Sequence, residues 1–281
     1  MSTLPLELRT NSVSVSDRSA GRLRIFNLVM GLLHLVSGGA MVALSNDFTL
    51  PVSSFSLAGP PGSPLSEGVT NSVFDLRVGL ATATFLFLSA FFHFLVASPW
   101  GYPRYVSELS KGRNRFRWVE YSLSSTLMIL LISLLFGISD IAALIGLALA
   151  NVSMILFGWL MEMSNNGLMH ARDGKPTRGD RAWWAPFWFG CIAGIGPWLA
   201  IVAYLIVNVG INGDQGPPNF VYGILISLFV FFNSFALNQW LQYRQVGRWS
   251  NYLTGERTYI VLSLLAKSAL AWQIFAGTLA G

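Results

Sequence analysis

A chain of 281 residues with 53% apolar and 11% charged residues departs from soluble domains, where charged residues make up about a quarter. Its mean hydropathy of +0.54 and apolar runs of about twenty residues, enough to cross ~30 Å of hydrocarbon as a helix, define an all-α integral membrane protein and exclude disordered, fibrous and secreted classes. One cysteine, Cys191, excludes an internal disulfide and no Cys/His cluster suggests a metal; the net charge of +5 is a matter of which loops carry it, and no nucleic-acid partner is expected.

Residues 1–24 form an N-terminal segment with Arg9, Arg18, Arg22 and Arg24. Its four arginines, and the absence of a small-residue cleavage site in the long apolar run that follows, predict a retained first helix rather than a signal peptide. Seven spans are predicted within 25–281, the first from Ile25 to Leu44 with His34 in it. The loop 45–75 is rich in Ser, Gly and Pro, with β-prone pieces at Phe48-Thr49-Leu50 and Ser54-Phe55-Ser56-Leu57. It reads either as a small hairpin capping the bundle or meeting a partner, or as a loose loop. The second span, Leu76 to Ala97, holds Ser89 and His93. A basic loop with Arg104, Lys111, Arg113, Arg115 and Arg117 leads to the third span, Phe116 to Ile138, which Ser139-Asp140 joins tightly to the fourth, Ile141 to Met163. The next loop carries Arg172, Lys175, Arg178 and Arg181 beside a solvated His170. The fifth span, Trp183 to Val209, turns at Asn212 to Pro218 into the sixth, Phe220 to Tyr243; Arg244, Arg248 and Arg257 precede the seventh, Thr258 to Ala280.

Sixteen of the eighteen lysines and arginines therefore fall on the side of the N-terminus. The positive-inside rule predicts a cytoplasmic N-terminus and an extracellular C-terminus in a multi-pass cell-membrane protein. No ten-residue alternation suggests a barrel, and no internal repeat suggests a transporter.

Ionisable groups inside a span are functional candidates. Lys267 is the tenth residue of the predicted seventh span and cannot easily reach either surface. A desolvated amine can condense with an aldehyde; salt bridging for packing and lining an ion path are the alternatives. Its anion candidate is Glu120, the acidic residue that reads as lying inside a span. Counted from Phe116, Glu120 is the fifth residue and so roughly 8 Å shallower than Lys267. Either the third helix begins earlier, near Arg113, and protrudes, or Glu120 is a cytoplasmic-interface charge paired with Arg117. Ser263 lies one turn before Lys267, and Ser124 and Ser125 one turn beyond Glu120, where hydroxyls can hydrogen-bond a charged pair. His34 and His93 need polar partners and can accept a proton or only join helices. Trp188, Trp198, Phe232, Phe235, Gln239 and Trp240 outline a flat slot for a conjugated ligand or plain packing, and Asn238 needs a partner too.

Seven spans with the N-terminus inside, Ser263-Leu-Leu-Ala-Lys267 on the last and Glu120-Tyr121-Ser122-Leu123-Ser124-Ser125 on the third together resemble the heliorhodopsin family along the whole chain. This orientation is opposite to that of most microbial rhodopsins. The resemblance implies all-trans retinal bound through Lys267 as a protonated Schiff base, with Glu120 as counterion, Ser263 as neighbour of the Schiff base, and His34 and His93 as a proton-accepting pair. It further implies that Tyr121, Ser89, Ser125, Asn151 and Trp272 are pocket residues and that Met154, Phe232 and Gln239 line the retinal slot; at Ser37 the family pattern has a glutamine. It implies, too, a photoreceptor with a slow photocycle and no ion pumping, a homodimer in membrane lipid that signals through an unidentified cytoplasmic partner. A single carboxylate on the third span agrees with the absence of pumping. A light-gated ion channel and a retinal-free transporter are the competing readings; no nucleophile, base and orienting group assemble into an enzyme site.

Overall fold

The computed structural model describes residues 15–165, 182–212 and 218–279. Arg9, the basic loop from His170 to Arg181 and the turn at 213–217 lie outside them. The elements run α1 (Asp17–Leu44), β1 (Thr49–Ser56), β2 (Val69–Arg77), α2 (Val78–Ala97), α3 (Gly101–Leu109), α4 (Arg115–Leu135), α5 (Ile141–Ser164), α6 (Ala185–Asn212), α7 (Asn219–Tyr243) and α8 (Tyr252–Ile274), the last continuing as a π-turn to Leu279. All the helices except α3 are long and apolar enough to cross a membrane, seven in all among the described residues.

The helices are built inside out relative to a soluble bundle, because lipid accepts apolar side chains and rejects polar ones. On α1 the buried face is Asn27, Gly31, His34, Gly38 and Met41, spaced by one helical turn, whereas Ile25, Leu32 and Val36 face outward. Packing joins α1 to α2, α2 to α4, α4 to α5, α5 to α6 and α7 to α8, and α8 returns to α1. Between α6 and α7, Trp198 meets Phe229 and Phe232 edge to face at 5.4 Å.

The loop 45–75 folds as an antiparallel hairpin, longer than its β-prone pieces suggested, with a register shift between Val52 and Ser53. β2 absorbs Leu76, which hydropathy alone assigns to the second span. Val52 is buried against Leu134 and Leu144, and Ser53 N–H donates to Ser139 O at 2.9 Å, so the hairpin is fastened to the α4–α5 turn. That turn is as tight as expected. Gly137, at φ +89°, ends α4 with bonds from Gly137 N–H to Leu134 O and from Ile138 N–H to Ser133 O, the paired closure of a Schellman motif, where a left-handed residue favours glycine. Asp140 then caps α5, accepting from Ala142 N at 2.9 Å and Ala143 N at 3.1 Å.

At the opposite, basic end two elements differ from expectation. α8 begins at Tyr252, six residues before the predicted Thr258, because Glu256 and Arg257 interrupt the hydropathy without interrupting the helix. The second basic loop contains α3, an amphipathic helix that lays Tyr105, Glu108 and Leu109 against the bundle. Asp140→Ala should remove the α5 cap and about 1 kcal/mol of stability, lowering Tm by roughly 2–4 °C in a detergent melt; an unchanged Tm would show that the hairpin fastening alone holds the turn.

Candidate functional site

Lys267 Nζ lies 2.7 Å from Glu120 Oε1 and 2.7 Å from Ser263 Oγ, while Ser89 Oγ donates to the same Glu120 oxygen at 2.7 Å. Lys267 is 3% exposed and Glu120 5%. Each charge thus has an opposite charge and hydroxyl partners, which a buried ion pair needs. The expected difference in depth does not arise, and neither alternative for it holds. Lys267 is fifteen residues beyond the start of α8 and Glu120 five beyond the start of α4, so the start of α4 lies recessed within the bundle rather than at its surface. Asn114, the α4 cap, fastens it there: its N–H donates to Glu162 Oε2 at 2.9 Å and its Nδ2 to Glu256 Oε1 at 2.8 Å.

Arg117 does not pair with Glu120. Its guanidinium bridges Glu162 on α5 and Glu256 on α8, and the Tyr259 ring lies 4.1 Å beneath it. Glu162 also accepts from Trp118 Nε1 at 2.5 Å and Tyr252 Oη at 3.1 Å, and Glu256 from Tyr105 Oη at 2.8 Å. Sequence reasoning placed these two carboxylates at a helix end and in a loop. The available signal was that Glu162 follows a predominantly apolar run from Ile141 with no charged residue in it. Nearer the basic surface, Glu108 pairs with Arg113 at 3.0 Å and Arg115 at 2.6 Å. Burial opposes its charge, but hydrogen bonds from Arg115 and Arg113 hold this carboxyl below its ordinary range.

On one side of the Lys267–Glu120 pair lies a cavity of about 260 Å³, lined by Met154, Trp198, Phe232, Phe235 and Gln239 among others, in which Lys267 is the charged residue among the described lining. Gly194 keeps it open, since a Cβ there would stand 2.4 Å from Met154 Sδ. Tyr121 forms part of the wall, its ring centroid 5.2 Å from Lys267 Nζ and its hydroxyl donating to Tyr259 O at 2.9 Å. Ser124, Ser125 and Ser263 contribute hydroxyls; Asn151 stands behind Ser125, donating to it at 2.9 Å. Gln239 donates to Gly158 O at 2.9 Å, and Asn238 to Gly255 O at 3.1 Å. An apolar, aromatic cavity with an amine at its wall fits a long conjugated aldehyde.

Trp272 is not brought to the cavity. Five residues beyond Lys267 it is turned about 140° around α8, is 38% exposed and packs on Phe275. Trp188 faces outward as well, and Trp240 is absent from the lining.

A second cavity, of about 40 Å³, lies on the basic side and touches Ser89, His93, Glu120, Ser263, Arg117 and Glu256. His34 and His93 stack at 5.6 Å between ring centroids. Asn27 Nδ2 donates to Leu23 O, so its Oδ1 accepts from His93 Nδ1 at 2.8 Å. Neither His34 nitrogen has a hydrogen-bond partner among the described residues, nor does Ser37 Oγ.

Fold and site together define a seven-helix membrane protein of rhodopsin type. Three solved structures share the fold: a light-driven proton pump from Leptosphaeria maculans (17% identity, TM-score 0.58, covering 94% of this chain and 96% of that one), Exiguobacterium sibiricum rhodopsin (16%, 0.56, 92% and 95%) and thermophilic rhodopsin from Rubrobacter xylanophilus (14%, 0.51, 92% and 95%). The heliorhodopsin family model matches residues 23–279, and the chain belongs to that family. No curated protein matches it significantly by sequence. Membership implies a retinal chromophore, and the seven apolar helices a lipid environment.

Arg117→Ala should leave two buried carboxyl groups without their cation and cost about 3–5 kcal/mol, read as a large fall in Tm. Arg77→Ala, whose pair with Asp47 is exposed, should barely move it. Equal melting of the two variants would contradict a structural role for the buried cluster.

Proposed function

We propose that the chain is a light-sensing photoreceptor of a cell membrane, with a cytoplasmic segment 1–24, a retinal-binding domain 25–281, its N-terminus inside and its C-terminus outside. The observation that carries this reading is the Lys267 amine, 2.7 Å from Glu120, at the wall of a large aromatic cavity. The concentration of Lys and Arg at one end supports the orientation.

All-trans retinal joined to Lys267 would supply visible absorption and photoisomerisation. Lys267 anchors it, and Glu120 balances the positive charge on the lysine nitrogen. Ser263 and Ser89 orient that pair by hydrogen bonds, and Asn151 fixes Ser125 at the wall. Met154, Trp198, Phe232 and Tyr121 confine a flat group and exclude water, while Gln239 supplies a polar contact. His34 and His93 lie on the basic side of Glu120, where an imidazole is an acceptor for a proton leaving Lys267.

Among α4 side chains, Glu120 is the one carboxylate, so a helix that in a pump would take and return a proton at two depths has one such group here. The Arg117, Glu162 and Glu256 layer between Glu120 and the basic surface favours local proton exchange over transport. The output of a slow cycle without pumping is then a conformational change read by a cytoplasmic partner, by a homodimer with no catalysis of its own.

Purified protein expressed with all-trans retinal should show a visible band that Lys267→Ala lacks. Glu120→Gln should shift that band to longer wavelength, because removing the anion frees positive charge to delocalise from the nitrogen. No band in either protein would sink the photoreceptor reading; an unshifted band in Glu120→Gln would move the counterion role elsewhere. Steady photocurrent under voltage clamp would instead favour a light-gated channel.

A further inference from the structure

Arg117, Glu162 and Glu256 set one cation against two carboxyl groups, with side chains 4%, 1% and 2% exposed. As fully ionised groups they would bury a net negative charge, which is costly enough that such sites neutralise themselves. Among the described residues the surrounding elements offer no second cation: Tyr105 faces the cluster from α3, Asn114 and Trp118 from the start of α4, and Tyr252 and Tyr259 from α8. Tyr243 of α7 lies near Glu162, and His93 of α2 and Asn27 of α1 stand across the small cavity. Tyr105 is held as a phenol, since burial and then the Glu256 charge push it well above its ordinary range.

Two further observations indicate a polar occupant beside the cluster. Arg117 Nε and the Tyr243 hydroxyl are buried without a hydrogen-bond partner among the described residues. The adjoining cavity, about 40 Å³ and lined by Arg117 and Glu256 at one end and Glu120 and Ser263 at the other, exceeds the ~10–15 Å³ that one water requires.

We propose that Arg117, Glu162 and Glu256 form a binding site for one exchangeable proton, held jointly by the two carboxyl groups, and that Glu256 opens it through the small cavity to the Glu120–Lys267 pair. A jointly held proton belongs to the pair rather than to either residue. Among the described residues Glu256 is the member of the pair that lines the cavity; Glu162 Oε2 is occupied by the Asn114 N–H and the Trp118 indole, which can only donate. The coupling to light rests on the proposed photoreceptor function; the stored proton does not.

Infrared spectra test both parts. The dark protein, with or without retinal, should show a carboxylic-acid carbonyl band that shifts in deuterium oxide and is lost in Glu162→Gln and in Glu256→Gln, since either variant leaves one carboxylate for one guanidinium. In the retinal-loaded protein, the light-minus-dark spectrum should contain a change in this band, absent from both variants. Melting temperature and far-ultraviolet circular dichroism identify any variant that has failed to fold, and Glu256→Asp, which keeps the carboxyl, should retain the dark band. A dark spectrum unaltered by both substitutions would overturn the proton site; a dark band without a light-induced change would overturn its link to Lys267. Failure to form a visible chromophore with the dark band intact would sink the photoreceptor reading and leave the proton site standing.

Discussion

A buried lysine in a membrane span must meet an anion within hydrogen-bonding distance or lose its charge, and the arrangement of the other helices follows from meeting that demand. Glu120 reaches Lys267 because α4 starts below the surface of the bundle. That start is tenable because Asn114 and Arg117, which open the helix, find their partners on α5 and α8 rather than in water. The α3 helix covers the recess, with Tyr105 reaching Glu256 and Glu108 gathering Arg113 and Arg115. Two charged layers result, one around Lys267 and one around Arg117, joined by a small polar cavity.

The two sides of the Lys267–Glu120 pair have opposite characters. Toward α6 and α7 the space is wide, aromatic and kept open by Gly194, which suits an apolar conjugated group and keeps water from it. Toward the basic end the space is narrow and lined by His93, Ser89 and the cluster, which suits protons and water. A positive nitrogen at the boundary can thus be held by chemistry on one side and titrated from the other. The shared fold with a light-driven proton pump says nothing about transport here, since fold alone does not decide function.

Hydropathy made the seven spans legible, along with the tight Ser139-Asp140 turn, and the β-prone pieces of the 45–75 loop marked its hairpin. It failed where charge and structure diverge. Glu256 and Arg257 look like a loop to a hydropathy count, yet they lie within α8 because Glu256 has Arg117, Tyr105 and Asn114 to satisfy it. Residues counted by helical turn from Lys267 or Glu120, such as Ser263 and Ser124, came out on the cavity lining, since their spacing is local. Trp272 was assigned by resemblance alone, and its position 140° around the helix takes it to the outer surface.

Sequence by itself determined the membrane class, the number of spans, the charged end and the pairing candidates Lys267 and Glu120, because length, hydropathy and loop charge are properties of contiguous stretches. Family membership was also readable there, from Ser263 to Lys267 and Glu120 to Ser125 in combination. Only the tertiary structure decided that Glu120 and Lys267 lie at one depth, that Arg117 belongs to Glu162 and Glu256, and that Ser89, Asn27 and Tyr105 join the same network. Those facts depend on how far each helix is sunk relative to its neighbours, and long-range hydrogen bonds between α3, α4, α5 and α8 set that depth without leaving any local periodicity to read.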